Sequence, residues 1–156
     1  MMLTVTSESP ASPDARRLLA ALNAELDRRY PEFGGTPYDP AANPAPGAAF
    51  VVARLDGVAV GCGALRPLHD GVGEIKRMFV VENRRGQGIA GQVLGELERR
   101  ASACGYAEVW LETGLRQPEA LALYERMGYG RIPNYGPYAG DPLSVCFRKT
   151  LRPEAG

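Results

Sequence analysis

A glycine-rich segment preceded by two arginines is the part of this sequence best suited to chemistry. Gly86, Gly88 and Gly91 are spaced as G-x-G-x-x-G and lead into an apolar pattern of helical spacing. The start of a helix exposes unpaired N–H groups and carries about half a positive charge. Glycines let a phosphate approach that backbone closely, and Arg84 and Arg85 add charged donors beside it. The segment is therefore predicted to hold a diphosphate.

Two nucleotide-binding patterns share this glycine spacing. A dinucleotide-binding fold carries an acidic residue about 20 residues later, and Glu112 stands near that distance. That fold places its first glycine directly after the first strand, whereas residues 82–85 intervene here and about 80 residues precede the motif. The NTPase phosphate loop is excluded because no Lys-Ser or Lys-Thr pair follows the glycines. A diphosphate site of another kind is favoured over the dinucleotide interpretation.

The elements that position this site follow from periodicity and turn signals. Ser12 and Pro13 predict the start of a helix that continues to Arg29. Two further helices are predicted between the glycines and Gly105 and between Gln117 and Gly128, and seven strands at residues 3–6, 50–55, 58–65, 74–81, 107–112, 129–132 and 144–150. The central β-α-β crossover requires a parallel pair. The expected fold class is α/β, with a mixed, mostly antiparallel sheet of six to seven strands and helices on both faces, in one domain over residues 1–156.

The strand at residues 74–81 departs from regular alternation. Ile75, Met78 and Val80 break the period of two, as an extra residue near Lys76 or Arg77 would. Such a bulge would spread the neighbouring strands and open a slot for a ligand. A regular strand buried on both faces is the alternative.

Two segments together resemble a known superfamily. Residues 78–90, MFVVENRRGQGIA, and residues 122–129, ALYERMGY, are similar to the GNAT superfamily of acyl-CoA-dependent N-acetyltransferases. Its R/Q-x-x-G-x-G/A signature is matched from Arg85 to Ala90. The resemblance implies the GNAT fold and acetyl-CoA as co-substrate, with no metal. It places the pyrophosphate on the backbone of Gly86 to Ala90 and the pantetheine arm along the main chain around Val80. The implied coenzyme contacts are Met78, Phe79, Val80, Arg84, Arg85, Gly86, Gln87, Gly88, Ile89, Ala90, Gln117 and Tyr124.

Proton transfer is the second requirement of amine acylation. Deprotonating an alkylammonium at neutral pH costs roughly 4–5 kcal/mol, so a base is useful. The resemblance implies Glu74 as the base, directly or through water, and Tyr124 as the acid that protonates the leaving thiolate. Arg77 beside Glu74 would lower its pKa while burial would raise it, and a solvent-facing Glu74 at the strand end is the alternative. Gln117 replaces the asparagine that the family often has.

The acceptor side is expected in two loops, residues 31–47 and 134–142. Tyr135 and Tyr138 of the second loop and Tyr38 of the first offer rigid aromatic surface with hydrogen-bonding tips. Arg77 and Glu112 complete the expected substrate contacts. The alternative is that the two loops only pack against each other. A non-catalytic acyl-CoA-binding or regulatory module is the competing function.

The charge balance and composition of the sequence limit the classes of partner that we expect. The 156 residues carry 18 Lys and Arg against 18 Asp and Glu, and this neutrality disfavours nucleic acid or a strongly charged protein tail. A small primary amine or amino-acid-like acceptor fits better. No segment has the length of a membrane span. The three widely spaced cysteines indicate reduced thiols in a cytoplasmic protein. A single histidine predicts no set of metal ligands. A homodimer is left open.

Overall fold

One seven-stranded sheet with three helices forms the architecture in the computed structural model, which describes residues 2–32 and 45–151. The strands run in the order β1-β2-β3-β4-β5-β7-β6. They span Leu3–Ser7 (β1), Ala49–Leu55 (β2), Val58–His69 (β3), Val72–Val80 (β4), Glu108–Gly114 (β5), Gly130–Ile132 (β6) and Ser144–Thr150 (β7). The helices span Pro13–Arg29 (α1), Ile89–Ala103 (α2) and Pro118–Arg126 (α3). The predicted fold class is confirmed.

The helices cover both faces of the sheet because the central strands are apolar on both. In β2, Phe50 and Val52 pack with α1, whereas Val51 and Ala53 belong to the core beneath α2. The start of α1 is fixed by Ser12, whose Oγ accepts the N–H of Ala15 at 3.1 Å. No helix in the described residues combines the length and apolarity needed to cross a bilayer.

The strand pairing confirms the predicted crossover. β4 and β5 are parallel, and the other five neighbouring pairs are antiparallel. One boundary prediction is wrong: the strand predicted at residues 58–65 continues as β3 to His69. Residues 66–69 stay in the sheet because they pair with the start of β4, with Arg66 opposite Glu74. The reversal is thereby confined to Asp70 and Gly71.

The predicted bulge lies at Arg77. Ala64 of β3 pairs with Lys76 and Cys62 pairs with Phe79, so two residues of β4 stand opposite Gly63 alone. Arg77 has a φ of 59°, in the left-handed region that accommodates the extra residue. The bulge reverses the facing of the residues that follow, and Phe79 packs with α1 while Val80 joins the core under α2.

Candidate active site

The parallel strands β4 and β5 separate after a short contact and leave a cleft. Their pairing covers only Val72 to Ile75 on β4 and Glu108 to Leu111 on β5. Beyond that point the bulge bends β4 away, and the gap opens into a cleft of about 630 Å³. Its walls are the diverging strand ends, the start of α2, one side of α3 and the C-terminal half of α1.

The start of α2 forms one end of this cleft. Its N-cap is Gly88, with a φ of 80°, and no side chain caps the helix. The first N–H groups of α2 therefore keep no side-chain acceptor, next to cleft-lining Ile89 and Ala90. A Cβ built at Gly86 or Gly88 would contact nothing, so the approach to this backbone is open. The residues fit a diphosphate. Gln87, by contrast, is exposed and lies outside the cleft wall.

The main chain of β4 offers hydrogen-bonding groups along the cleft. The N–H of Val81 donates to Val60 O on β3 at 2.9 Å. Because backbone groups alternate in direction along a strand, those of Val80 point away from β3 and toward the gap. Met78, Phe79 and Val80 all line the cleft, and Val80 O accepts a hydrogen bond from Arg85 Nε. The strand-like pairing of an extended ligand with this main chain stays a prediction.

The two arginines before the glycines differ in their surroundings. Arg84 lines the cleft. Arg85 lines it too, but its Nε donates to Val80 O at 2.9 Å and its NH2 to Glu25 of α1 at 2.7 Å. Its guanidinium also lies over the Phe79 ring. Arg85 thus ties the end of β4 to α1, a role that the sequence did not indicate.

Tyr124 reaches the cleft from α3. Its ring packs against Tyr129 and Phe147, with centroids 5.7 and 5.9 Å away, and only 5% of the residue is exposed. Burial raises the pKa of Tyr124 well above its ordinary value, and the nearby Glu112 carboxylate adds to this. The hydroxyl therefore keeps its proton at neutral pH, as a proton donor must.

Glu74 is sealed inside the sheet and its neighbouring loop. It is 1% exposed, and its carboxylate accepts hydrogen bonds from Arg66 Nε at 2.7 Å and Tyr135 Oη at 2.6 Å. The solvent-facing alternative is therefore wrong. The guanidinium that donates to Glu74 is that of Arg66, while Arg77 lies in the cleft wall and Glu74 does not.

Lys76 and Glu112 line the cleft directly beyond the strand split, next to Arg77. Lys76 Nζ donates to Tyr138 Oη at 2.8 Å, and burial lowers the pKa of Lys76. Glu112 is partly buried and accepts a hydrogen bond from Ser144 Oγ at 2.7 Å. Burial raises the pKa of Glu112. A cation, a carboxylate and a phenol thus stand together at one end of the cleft.

Comparison with known proteins identifies the family. The model of the Acetyltransferase (GNAT) family matches residues 19–129. This chain belongs to the GNAT acetyltransferase family. The IAA acetyltransferase of Azospirillum brasilense is 37% identical over 150 residues, which cover 96% of this chain and 98% of that protein. The uncharacterized N-acetyltransferase YsnE of Bacillus subtilis is 38% identical over 93 residues, 58% of this chain and 62% of that protein.

Solved structures agree with this assignment. A candidate acyl-CoA N-acyltransferase from Klebsiella pneumoniae superposes with a TM-score of 0.81 at 34% identity, over 97% of this chain and 99% of that one. A GNAT acetyltransferase from Elizabethkingia anophelis with acetyl-CoA bound has a TM-score of 0.68 at 20% identity, over 96% and 98%, and shares the fold. This GNAT protein is accordingly an acetyl-CoA-dependent acyltransferase.

Several residues near Lys76 and Glu112 of this GNAT acetyltransferase were not predicted from the sequence. Trp110 packs edge-on against Tyr135, with ring centroids 5.1 Å apart, and against His69, at 4.9 Å. His69 is exposed and is the last residue of β3. Lys76 and Arg66 were also missed. Strand alternation could have predicted the position of Lys76, because residues two apart on a regular strand share a face and Lys76 follows Glu74 by two. Tyr38 and most of the loop at residues 31–47 lie outside the described residues.

Helix α1 is joined to α3 across the cleft by a network of polar contacts, here called the α1–α3 bridge. Arg29 NH1 donates to Arg116 O and Arg116 NH1 donates to Arg29 O, both at 2.8 Å. Tyr30 Oη accepts the N–H of Arg116 at 3.2 Å and donates to Gln117 Oε1 at 3.4 Å. Gln117 Oε1 also accepts the N–H of Gly114 at 3.3 Å. Gln117 thus lines the cleft while organising the start of α3.

Gly114 is expected to be indispensable to this bridge. A Cβ at position 114 would overlap the Tyr30 hydroxyl and lie 2.6 Å from Tyr30 Cζ. Gly114→Ala should therefore displace Tyr30 and lower the free energy of unfolding by about 1–3 kcal/mol in urea titrations. The loss should shrink in the Tyr30→Ala background, since the two residues share one contact.

Gly95→Ala is the matched control. Position 95 lies in α2 with no atom within 4 Å of the added Cβ, so alanine should raise stability by about 0.5–1 kcal/mol. An undiminished Gly114→Ala penalty in the Tyr30→Ala background would contradict the assigned contact.

Proposed function

We propose that this protein transfers the acetyl group of acetyl-CoA directly to the primary amine of a small or amino-acid-like molecule. The observation that supports this most is the layout of the cleft. The uncapped start of α2 lies at one end, the main chain of residues 78–80 runs along it, and Lys76 and Glu112 line it beyond the strand split. A diphosphate, an extended arm and a reacting amine fit this order.

In this proposal the chain binds the coenzyme with backbone groups. The N–H groups from Gly86 to Ala90 hold the pyrophosphate, assisted by Arg84. Arg85 contributes mainly by fixing the end of β4, because Val80 O and Glu25 occupy its Nε and NH2. The main chain at Met78 and Val80 orients the arm so that the thioester lies near Tyr124.

The acceptor occupies the end of the cleft near Lys76 and Glu112. A carboxylate suits an ammonium group, and the partly exposed Lys76 suits an acidic group. The pair therefore favours an acceptor that carries both, as an amino acid does. Tyr138 is uncharged, and its hydroxyl oxygen accepts a hydrogen bond from Lys76 that fixes the ammonium group. Arg77 adds a second cation to this wall of the cleft.

Glu74 is proposed to act through Tyr135 as a positioning residue. Its two carboxylate oxygens hold Arg66 on β3 and Tyr135 of the segment that precedes β7. Tyr135 packs against Tyr138, with ring centroids 5.4 Å apart, so the order imposed by Glu74 extends to the residue that holds Lys76. Glu74 Oε1 also lies 3.9 Å from Lys76 Nζ, so Glu74 shapes the acceptor end through Lys76 as well, without lining the cleft itself.

The proposal also includes that the protein is a single domain and that it is located in the cytoplasm. All described strands belong to one sheet, which supports one N-acetyltransferase domain over the chain. Cys62, Cys104 and Cys146 are all free thiols, which fits a reducing compartment. A homodimer is compatible with this proposal but is not required by it.

An acceptor panel tests the proposed function. The purified protein is mixed with acetyl-CoA and with aliphatic amines, aromatic amines, free amino acids or IAA, the last because the Azospirillum brasilense relative is named for it. Release of free thiol above the acceptor-free rate is expected with at least one primary amine. Coenzyme binding without release of free coenzyme A thiol in the presence of any acceptor would overturn the proposal and favour a non-catalytic acyl-CoA-binding module.

A further inference from the structure

The carboxylate at the position expected for the base has no access to the cleft. Glu74 is 1% exposed, and Arg66 and Tyr135 each hold one of its carboxylate oxygens. A general base must come within hydrogen-bond distance of the proton that it removes, or connect to it through one water. Glu74 does not line the cleft, and the ammonium group of the cleft-lining Lys76 lies 3.9 Å from its Oε1. Its geometry therefore suits positioning better than proton transfer.

Glu112 meets the geometric requirement that Glu74 fails. It is the first residue of β5 after the last one that pairs with β4, and it lines the cleft at the point of divergence. Ser144 Oγ donates to its Oε2 at 2.7 Å, which fixes the carboxylate at the wall. Tyr124, on α3, interacts with Glu112 electrostatically, so the acid and this carboxylate serve the same part of the cleft.

The surroundings of Glu112 favour its protonated form more than water would. Burial raises the pKa of Glu112, repulsion from Asp141 and Glu74 acts in the same direction, and the Ser144 hydrogen bond and Lys76 oppose them. The titratable or charged groups that face it are Lys76 and Glu74 of β4, Tyr124 of α3, Tyr30 after α1, Tyr138 and Asp141 before β7, and Cys146 of β7. Only Lys76 among these is a cation, so the carboxylate is not locked in its ionised form by an ion pair with arginine.

We propose that Glu112, rather than Glu74, accepts the proton of the acceptor ammonium, an inference that rests on the proposed function. One N–H bond of the ammonium breaks, and the proton moves to a Glu112 oxygen and from there to solvent. The neutral nitrogen forms a bond to the thioester carbonyl carbon, and the C–S bond then breaks. The sulfur takes the Tyr124 proton, and the second proton that the nitrogen loses restores the Tyr124 hydroxyl.

Glu112→Gln tests this assignment because it keeps the shape of the side chain and an oxygen for Ser144. With the best primary amine of the panel, we expect kcat/KM to fall by about 100-fold, the lower range for general base catalysis. In the wild type kcat/KM should rise with pH as Glu112 ionises, and this acidic limb should vanish in the variant. Glu74→Gln, the matched control, should keep the limb.

A second substrate separates base catalysis from structural damage. An O-alkylhydroxylamine with the carbon skeleton of the same amine is uncharged at neutral pH, because the adjacent oxygen makes its nitrogen weakly basic, and it needs no deprotonation before attack. The Glu112→Gln penalty should shrink to a few-fold with this nucleophile, whereas a misfolded site would lose both reactions equally. Acetyl-CoA should raise the melting temperature of the variant as it does that of the wild type.

The outcomes distinguish the inference from the proposed function. Wild-type turnover with an acidic limb that survives Glu112→Gln would overturn the role of Glu112 and leave the proposed function intact. An equal penalty for the amine and the O-alkylhydroxylamine, or a variant that acetyl-CoA no longer stabilises, would also overturn it. Absence of thiol release by the wild type with every acceptor would overturn both.

Discussion

Ala90→Asp is expected to weaken acetyl-CoA binding by about 100-fold without harming the fold. Ala90 is the second residue of α2 and lines the cleft beside the uncapped N–H groups. Two like charges about 6 Å apart at an effective dielectric constant of about 20 repel by about 3 kcal/mol, roughly two powers of ten in Kd. The same carboxylate interacts favourably with the start of the helix, by about 0.3–1 kcal/mol. Calorimetric titration should show weaker binding, and the melting temperature of the free protein should not fall.

Ala90→Asn is the control for this experiment. Asparagine has the size of aspartate without its charge, so it should cost no more than a few-fold in Kd. Raising the ionic strength should reduce the aspartate penalty, because salt screens charges that are partly open to solvent. Equal affinities for the aspartate variant and the wild type would place the diphosphate away from α2 and contradict the proposed coenzyme site.

Tyr124→Phe is expected to lower kcat by about 10²–10⁴-fold while acetyl-CoA affinity stays within a few-fold of the wild type. The substitution removes the hydroxyl at the cleft but keeps the ring that packs against Tyr129 and Phe147. Without the hydroxyl the sulfur must leave as an unprotonated thiolate. Because burial raises the pKa of Tyr124 well above its ordinary value, its ionisation should not limit the wild-type rate at neutral or mildly alkaline pH. Steady-state kinetics and coenzyme titration separate the two effects.

Tyr129→Phe provides a matched control on the other partner of the same ring pair. The Tyr129 hydroxyl donates to Glu98 Oε2 at 2.8 Å, and Tyr129 is not part of the cleft wall. Its removal should lower stability by about 1 kcal/mol through the lost hydrogen bond and leave kcat unchanged. A Tyr124→Phe variant with kcat within threefold of the wild type would remove Tyr124 from the proposed mechanism.

Much of the fold could be predicted because local patterns agree with it. The cap at Ser12 and Pro13, the Asp56-Gly57 turn between β2 and β3 and the alternation of β5 each indicate their element without help from distant residues. The end of β3 was not predictable in this way. Residues 66–69 contain turn-forming types, but they remain strand because the start of β4 pairs with them. Such pairing depends on a partner strand, which cannot be identified from the local composition.

The features of the candidate site also differ in whether local sequence could predict them. The start of α2, where we propose that the diphosphate binds, is a local feature, since glycine spacing and a following helix are enough to create unpaired N–H groups. The functions of Arg85 and Glu74 are decided by distant residues, because Glu25 and Val80 engage the first and Arg66 and Tyr135 seal the second. A side chain's type states which bonds it can form, but only its neighbours decide which of them are left for a ligand.

The sequence by itself determined the family signature, the order of elements and the bulge near Arg77, since each is written in residues close together along the chain. Only the tertiary structure decided which carboxylate faces the cleft. Glu74 and Glu112 look alike in sequence, yet one lies within the paired part of β4 and β5 and the other just beyond it. Burial and access to ligand depend on where two strands separate, and that point is set by packing across the whole sheet.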